Sequence, residues 1–212
     1  MSSDLISIFI FAVITGFLIF RLYSVLGQRT GFEPPKEQPV EKPENFKPQS
    51  EVTLEEDTDK LSNPALKRLV KSIKSHDPTF DVDEFLKGAT RAFEIILKAF
   101  AGDDVKTLKN LLGSVIYKEF ETTIKERQEQ GETLETTLIK IESPRLVEGR
   151  IRGSVAEVTV EFQTEQIHII RDKKGNIIDG HPKQIEQLID LWTFKRDLTQ
   201  RNPNWILIKT ST

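Results

Sequence analysis

The chain has 212 residues, of which 30% are charged and 37% are hydrophobic, and its formal net charge is −3. Its length suits one domain with extensions, or two small domains. The absence of cysteine excludes disulfides, thiolate zinc sites, iron–sulfur clusters and cysteine nucleophiles. The stretch 63–212 holds 24 Lys/Arg against 23 Asp/Glu. Because nucleic-acid binders usually carry a basic domain, we expect no nucleic-acid partner.

The first segment, 1–26, is predicted to be a transmembrane anchor. Residues 5–20 are sixteen positions without a charge, and apolar residues continue beyond them, which approaches the roughly 20 residues that a membrane-spanning helix needs. No basic n-region precedes the span and no small-residue cleavage site follows it, so an uncleaved anchor is favoured over a signal peptide. The candidate anchor residues are Leu5, Phe9, Phe11, Phe17, Phe20 and Arg21.

The cations nearest to this span lie on its C-terminal side. Arg21, Arg29 and Lys36 follow the span, whereas only the α-amine precedes it. The positive-inside rule therefore puts the following segment in the cytoplasm, or in the matrix of a mitochondrion. Since the span lacks the Arg-rich amphipathic character of a transit peptide, the bacterial inner membrane is favoured over the mitochondrial one.

The second segment, 27–62, has the composition of a disordered linker. It contains five prolines, nine Asp/Glu and five Lys/Arg, with few large apolar residues. Such a segment cannot bury enough apolar surface to offset the entropy of ordering its backbone. We expect a flexible, acidic tether between the anchor and a domain at 63–212.

The domain begins with a predicted basic amphipathic helix. Asn63 and Pro64 suit the N-cap and the first helical position. An apolar stripe follows at helical spacing, and the other face carries four cations, which are Lys67, Arg68, Lys71 and Lys74. This face can bind an anionic membrane or a partner, or the stripe can pack on the domain and leave the cations solvated.

Three more helices are predicted before the pattern changes. A D-x-x-E capping box at Asp81 and Glu84 starts a helix over about 83–101, and Gly102 suits its end. A short helix over about 104–112 and a helix capped by Ser114 and reaching about 130 follow. The core stripe of the long second helix is Phe85, Leu86, Ala89, Ala92, Phe93, Ile96, Leu97 and Phe100.

From Thr133 onward the apolar period becomes two. Residues 156–163 alternate apolar and polar side chains, and 167–170 can continue that strand. Further strands are predicted at 189–194 and 205–208, separated by turn signals. Helices followed by antiparallel strands indicate the α+β class, with helices packed on an antiparallel sheet.

Three motifs in this part of the chain carry a resemblance to a known family. The first is the run 80–93, Phe-Asp-Val-Asp-Glu-Phe-Leu-x-Gly-Ala-x-x-Ala-Phe, and the second joins Arg171-Asp172-x-x-Gly175 to Gly180-x-Pro182. The third is Trp192-Thr193-Phe194-x-Arg196-Asp197-Leu198 followed by Asn202-Pro203-Asn204-Trp205-x-Leu207. Through these motifs the stretch 63–212 resembles the Tim44-like domain of the mitochondrial import-motor adaptor, in its bacterial membrane-anchored, TimA-type form.

The resemblance implies a cone-shaped domain similar to nuclear transport factor two, whose helices wrap a curved antiparallel sheet around a large apolar pocket. It also implies an adaptor at the cytoplasmic or matrix face of a membrane. The mitochondrial member recruits a heat-shock-seventy chaperone to a protein-conducting channel, and a further relative tethers ribosomes to the membrane. An anchor and a tether replace the N-terminal half of the mitochondrial member here, so what carries over is the docking of a domain near a membrane.

No catalytic constellation is apparent in the sequence. His76, His168 and His181 lack metal-ligand spacing, and phosphate-binding glycine loops and the nucleophile elbow are absent from the sequence. We therefore predict an adaptor or scaffold without a cofactor, which binds protein partners, including membrane proteins, and anionic lipid. The alternative is a small-molecule-binding or isomerase-type enzyme, which needs an acid or histidine aimed into a pocket. The candidate groups for that role are Glu161, Asp190 and His168.

The densest aromatic cluster lies near the C-terminal end of the chain. Trp192 and Phe194 share one strand face, and Trp205 follows in the third motif. With Phe93, Ile96 and Leu97 of the second helix, these residues are predicted to form core or to line the mouth of an apolar pocket. Arg196 and Asp197 are candidates for an ion pair at its rim.

Overall fold

The computed structural model describes residues 61 and 63–211. The predicted anchor and nearly all of the predicted tether lie outside the described residues. Within the described part of the chain, no helix combines the length and apolar character needed to cross a membrane. The helices are α1 (Pro64–His76), α2 (Val82–Ala101), α3 (Val105–Leu111) and α4 (Ser114–Gln130). The strands are β1 (Thr133–Ile141), β2 (Arg145–Arg152), β3 (Val155–Arg171), β4 (Ile177–Gly180), β5 (Glu186–Asp197) and β6 (Ile206–Ser211).

The helix ends follow the predicted capping chemistry in two of three cases. Asn63 Oδ1 accepts from the Ala65 N–H at 2.9 Å, and Asp81 Oδ1 accepts from the Glu84 N–H at 2.7 Å. The predicted cap at Ser114 is wrong, because Gly113 is the N-cap and makes no side-chain hydrogen bond. The Gly113 N–H instead donates to the Leu207 carbonyl at 2.7 Å, so contact with β6 sets where α4 begins.

The sheet is antiparallel and centred on β3. Its main order is β1-β3-β5-β6, while β2 and β4 also pair with β3. The 17 residues of β3 give it room for two partners along one edge, β2 near its start and β1 near its end. The register shifts between Leu138 and Lys140 and between Leu146 and Glu148. Such bulges bend and twist a strand, which gives the sheet its curvature.

The two faces of the sheet have different chemistry. The inner face, which bears Val158, Val160 and Phe162 of β3, packs against the helices. The outer face carries cross-strand ion pairs, including Arg150 Nη2 with Glu157 Oε2 at 2.6 Å and Arg145 with Glu161. This alternation is the expected pattern for an antiparallel sheet with one face on the core. The protein is therefore an α+β domain with its helices on one side of a curved sheet.

The core forms where α2 lies against β3 and β5. The Phe93 ring lies 4.5 Å from the rings of both Phe162 and Trp192, between centroids. Phe93 and Phe162 are fully buried, as is Ile96 to within 1% of its surface. Helix α1 packs against β2, and its stripe of Leu66, Leu69, Val70 and Ile73 is buried. Burying a side chain of this size contributes about 1.5–3 kcal/mol.

One apolar residue of α4, Val115, faces solvent instead of the core. Val115 is 71% exposed, whereas Ile116 and Ile124 are buried. Positions 116 and 124 are eight apart and share a face, while position 115 is turned about 100° from position 116 around the helix axis. The apolar character of Val115 is therefore not explained by packing within the described domain.

A buried arginine ties α4 to the end of α2. Arg127 is 7% exposed, and its guanidinium donates to the Phe100 carbonyl and to the Asp103 carboxylate. Its Cζ also lies 4.9 Å from the centroid of the Phe100 ring. Asp103 has a positive φ of 57°, so this contact holds a backbone conformation that non-glycine residues rarely adopt.

We predict that replacing Arg127 with alanine lowers the free energy of unfolding by about 2–3 kcal/mol, since it leaves the Phe100 carbonyl and the Asp103 carboxylate without their donor. Urea denaturation followed by circular dichroism measures the change. Lys125→Ala on the same helix is the control, because Lys125 is 64% exposed in its ion pair with Glu121 and should cost less than about 1 kcal/mol. Equal losses in the two variants would contradict the assignment.

Candidate functional site

An open groove of about 850 Å³ lies between α2 and the end of β5. Its walls come from the turn between α1 and α2, the N-terminal half of α2, the last residues of β5 and the loop 198–205. These segments contain most of the first and third sequence motifs. The groove therefore brings together residues that are more than 100 positions apart in the chain.

Four aromatic side chains form the floor of the groove. Phe85 of α2 is central, with ring centroids 4.8 Å from Trp205, 5.8 Å from Phe80 and 6.2 Å from Phe194. Tilted and edge-to-face pairs of this kind add about 0.5–1.5 kcal/mol beyond their area burial. Trp205 keeps part of its surface exposed, whereas Phe194 is 2% exposed. Phe80 and Phe85 are likewise buried, at 6% and 8% exposure, so Trp205 is the ring of this floor that solvent and a partner can reach.

Two tight turns position this floor. At the end of α1, the Asp77 carbonyl accepts from the Phe80 N–H at 3.1 Å, and Asp77 Oδ1 accepts from the Thr79 N–H at 3.1 Å. Before Trp205, the Asn204 N–H donates to Asn202 Oδ1 at 3.0 Å. Asp and Asn side chains stabilise turns through bonds of this type. Both turns therefore follow from residues inside the motifs.

A nearly buried ion pair forms one wall of the groove. Arg196 Nη1 donates to Asp77 Oδ2 at 2.9 Å, and the two side chains are 11% and 14% exposed. The hydrogen bond from Thr79, with further help from Arg196, lowers the pKa of the Asp77 carboxyl below its ordinary value. Arg196 Nε is buried and makes no hydrogen bond within the described residues. The guanidinium is therefore only partly satisfied.

The predicted pairing of Arg196 with Asp197 is wrong. Adjacent residues of a strand point to opposite faces, and Asp197 instead accepts from the Thr199 hydroxyl at 2.8 Å and from the Thr199 N–H at 3.1 Å. These Thr199 bonds lower the pKa of Asp197. Arg196 meets Asp77, 119 positions away, a contact for which the local sequence carries no signal.

Some charged side chains on the rim of the groove have hydrogen-bond or ion-pair partners, and others do not. Asp81 caps α2 through the Glu84 N–H, and Glu84 Oε1 pairs with Lys87 Nζ at 2.7 Å. Arg91 and Arg201 are exposed on the rim, and no ion pair or hydrogen bond of their side chains is found within residues 61 and 63–211. The two rim side chains that lack a partner in the described part of the chain are therefore both positively charged.

The structure divides the predicted pocket or core residues between two places. Phe93, Ile96 and Trp192 are buried in the core, and Leu97 is partly buried against it. Phe194 and Trp205 line the groove. Phe80 opens the first motif but was not predicted to line a site, and Phe85 was predicted only as a core residue. Phe80 follows the turn at Asp77, and Phe85 follows the helix cap at Asp81. Their position directly after a turn and a cap is the signal that could have identified them.

The four cations of α1 lie at the domain surface, but they differ in how far their side chains are exposed. Arg68 and Lys71 are exposed, while Lys67 and Lys74 are half-buried. The apolar stripe of the same helix packs against β2, where Leu69 lies against Gly149 at a distance that leaves no room for a Cβ. The apolar stripe of α1 is therefore buried against the domain. A contact of α1 with a membrane would depend on the charges of its cations.

The three candidate acid–base groups do not come together. Glu161 is on the outer face beside Arg145, which with Gln163 lowers the pKa of that carboxyl. His168 contacts Thr136 Oγ1 at 3.2 Å through Nδ1, and burial lowers the pKa of its imidazole. Asp190 of β5 is on the inner face, directly opposite Phe162 of β3. His168 lies six residues further along β3 than Phe162. Among the described residues, no group of three or more His, Asp or Glu could hold a metal ion.

Asp190 is the acid that the environment changes most. Burial raises the pKa of its carboxyl to about 6, and no side chain in the described part of the chain donates a hydrogen bond to it. Its strand neighbours on the same face are Leu188 and Trp192. A carboxylate with apolar neighbours and no donor destabilises the folded state when it is ionised.

We predict that Asp190→Asn changes the pH dependence of stability. The folded pKa is raised above the unfolded value of 3.8, so the folded state retains a proton that the unfolded state releases, and stability falls as pH rises from about 4 to 6. The difference in unfolding free energy between Asp190→Asn and the natural chain should therefore shift by up to about 3 kcal/mol across that window, in favour of the variant at pH 7. Urea titrations at pH 3.5 and 7.5 measure it, because these two pH values lie on either side of the unfolded and folded pKa values.

The other ionisable groups are the same in both proteins, so their contributions to the unfolding free energy cancel in this difference. Asp179→Asn, which removes an exposed acid of β4, is the control and should leave the pH profile unchanged. Parallel stability profiles for Asp190→Asn and the natural chain would contradict the assigned pKa.

The comparisons with known proteins point to one family. The family model described as the Tim44-like domain matches residues 66–212. A mouse mitochondrial import inner membrane translocase subunit TIM44 is 26% identical over 154 residues, covering 71% of this chain and 34% of the mouse protein. An uncharacterized protein of Rickettsia prowazekii is 23% identical and covers 98% of this chain and 97% of its own length.

Among solved structures, the intermembrane space region of the chloroplast protein ARC6 aligns with a TM-score of 0.39 and 18% identity, over 63% of this chain and 97% of that one. The chain spans about a third of the length of the mitochondrial translocase subunits that it matches. The family model covers well over half of the chain and includes every residue that lines the groove. The chain belongs to the Tim44-like domain family.

Proposed function

We propose that this protein is a membrane-anchored adaptor whose Tim44-like domain binds protein partners at the cytoplasmic face of a bacterial inner membrane. The anchor is the apolar segment 5–20, and the tether 27–62 keeps the domain near the bilayer. Such tethering raises the effective concentration of the domain at the membrane, so that weak contacts suffice. The relation to translocase subunits in mitochondria supports a partner among membrane or translocation proteins.

The aromatic groove is the observation that carries this proposal. It is open, it has a rigid apolar floor, and it holds polar groups at its rim, which is the usual make-up of a binding site. Aromatic and arginine side chains also dominate the energetics of protein interfaces. The outer face of the sheet supports docking less well, since its charges are already paired across strands.

The alternative is a small-molecule-binding or isomerase-type role, and Asp190 is the observation that favours it. Its desolvated carboxyl has the raised pKa of a general base or acid. Asp190 does not line the groove, however, and the acid that does so beside the aromatic floor, Asp77, is held by Arg196. We therefore favour binding over catalysis and make no assignment of a substrate.

The adaptor role predicts that partners crosslink at the groove. We expect a photoreactive amino acid at Ile95, which lines the groove and is 46% exposed, to capture discrete membrane-associated proteins in cells that express the full chain. The matched control is the same label at Ile189, which is 40% exposed on the outer face of β5. Mass spectrometry identifies the captured proteins. Equal capture at both positions, or capture at Ile189 alone, would count against a groove partner.

The cations of α1 predict a second, weaker contact with anionic lipid. A fragment spanning 61–212, with its fold checked by circular dichroism, should bind vesicles rich in phosphatidylglycerol at low salt and leave them at high salt, because the attraction is screened. Each cation near such a surface contributes about 1 kcal/mol. Replacing Lys67, Arg68, Lys71 and Lys74 by Gln should abolish sedimentation with vesicles. If the natural fragment ignores these vesicles at low salt, α1 has a purely structural role.

A further inference from the structure

We infer that the groove recognises an acidic partner segment that carries an apolar anchor residue. The inference rests on the proposed adaptor function and gives the chemistry of its partner. An apolar side chain of the segment packs against the two accessible apolar residues of the groove, the partly exposed Trp205 and the exposed Ile95, and neighbouring carboxylates meet the arginines of the rim. The partner is a protein segment with Glu or Asp on either side of Leu or Phe.

The arrangement of charge is the first support. The lining includes three acids and three arginines, together with His76. Each of the acids is engaged within the chain: Asp77 by Arg196 and Thr79, Asp81 by the start of α2, and Glu84 by Lys87. A basic segment would have to displace these internal partners, whereas an acidic segment meets cations that are available.

The state of the arginines is the second support. Arg196 bonds Asp77 through Nη1, while its Nε is buried and unpartnered among the described residues. Because that atom is closed to solvent, the donors that a carboxylate entering the groove meets are those of the exposed Arg91 and Arg201. Arg91 and Arg201 stand on the rim, on α2 and on the loop before Trp205. Guanidinium groups favour carboxylates because two N–H donors can meet two oxygens.

The shape of α2 at the groove is the third support. Gly88 lines the groove, and a Cβ at that position would meet nothing within 4 Å. Gly88 and Ala92 are one turn apart, and their small side chains leave space above this side of α2. Ile95 is exposed beyond them. A peptide backbone can therefore approach α2 closely between the two rim arginines.

The test uses the full chain in nanodiscs and fluorescein-labelled 12-residue peptides. The first peptide has a central Leu-Phe pair flanked by Glu, the second has Lys in place of every Glu, and the third has Gly-Gly in place of Leu-Phe. Fluorescence anisotropy should show that the first peptide binds at least about tenfold more tightly than either of the others. Binding should weaken with added salt, since the rim charges are exposed.

Charge reversal provides the matched variants. In a double variant, Arg91→Glu with Arg201→Glu, the acidic peptide should lose about tenfold or more in affinity, and the Lys peptide should become the preferred one. Arg152→Glu, an exposed charge on β2 outside the groove, should change neither affinity. Both rim arginines are exposed, so these variants are expected to keep the fold, which circular dichroism checks. Trp205→Ala should lower the affinity for the acidic peptide, but the variant should still bind the acidic peptide more tightly than the Lys peptide.

Several results would overturn the inference: equal binding of the acidic and Lys peptides, no effect of the double charge reversal, or no binding of any peptide at millimolar concentration. These results differ from a failure of the adaptor role. If crosslinking at Ile95 captures partners but the peptides show no acidic preference, the adaptor role stands and the chemistry assigned to the partner is wrong. If the acidic peptide binds as expected and nothing is captured at Ile95, the adaptor role fails.

Discussion

The packing of α2 on the inner face of β3 and β5 is the contact on which the rest of the domain depends. Phe93 lies at its centre, between Phe162 and Trp192, and all three rings are excluded from water. Because β3 pairs with four other strands, fixing α2 on this strand fixes the helix relative to the whole sheet. The interior is filled by side chains at this point, as close-packed protein cores are.

The groove is a consequence of that packing. The contacts of Phe93 fix the middle of α2 on the sheet. The first two turns of α2 lie over the end of β5, where the sheet ends and a loop follows. Phe85 fills part of this space together with Trp205, and the ion pair of Arg196 with Asp77 closes one side. Burying such a pair is costly unless each group is well bonded, and Arg196 is not fully bonded.

Local signals in the sequence were enough to predict the helices and the class of fold. The caps at Asn63 and Asp81 and the apolar period of α2 describe contacts within about four residues, and the structure bears them out. The alternation along 156–163 likewise reports that one side of β3 is buried. Each of these signals depends on neighbours in the chain, which is why a single sequence reveals them.

The groove could be predicted only in part, because periodicity tells which side of an element is buried but not what it meets. Trp205 was identified as a candidate, but its contact with Phe85 depends on how a loop after β5 returns to α2. The pairing of Arg196 with Asp77 and the inner-face position of Asp190 depend on register and long-range packing. The anchor and tether rest on composition alone, since they lie outside the described residues.

Hydrogen–deuterium exchange on the full chain in nanodiscs tests the central claim, that partners dock in the groove, most directly. With the partner recovered from crosslinking or with the acidic peptide bound, exchange should slow in the turn 77–81, in the first half of α2 and in the loop 199–205. Amides of β2 and of the outer edge at β4 should be unaffected. Protection confined to α1, or to the strands away from the groove, would contradict the account.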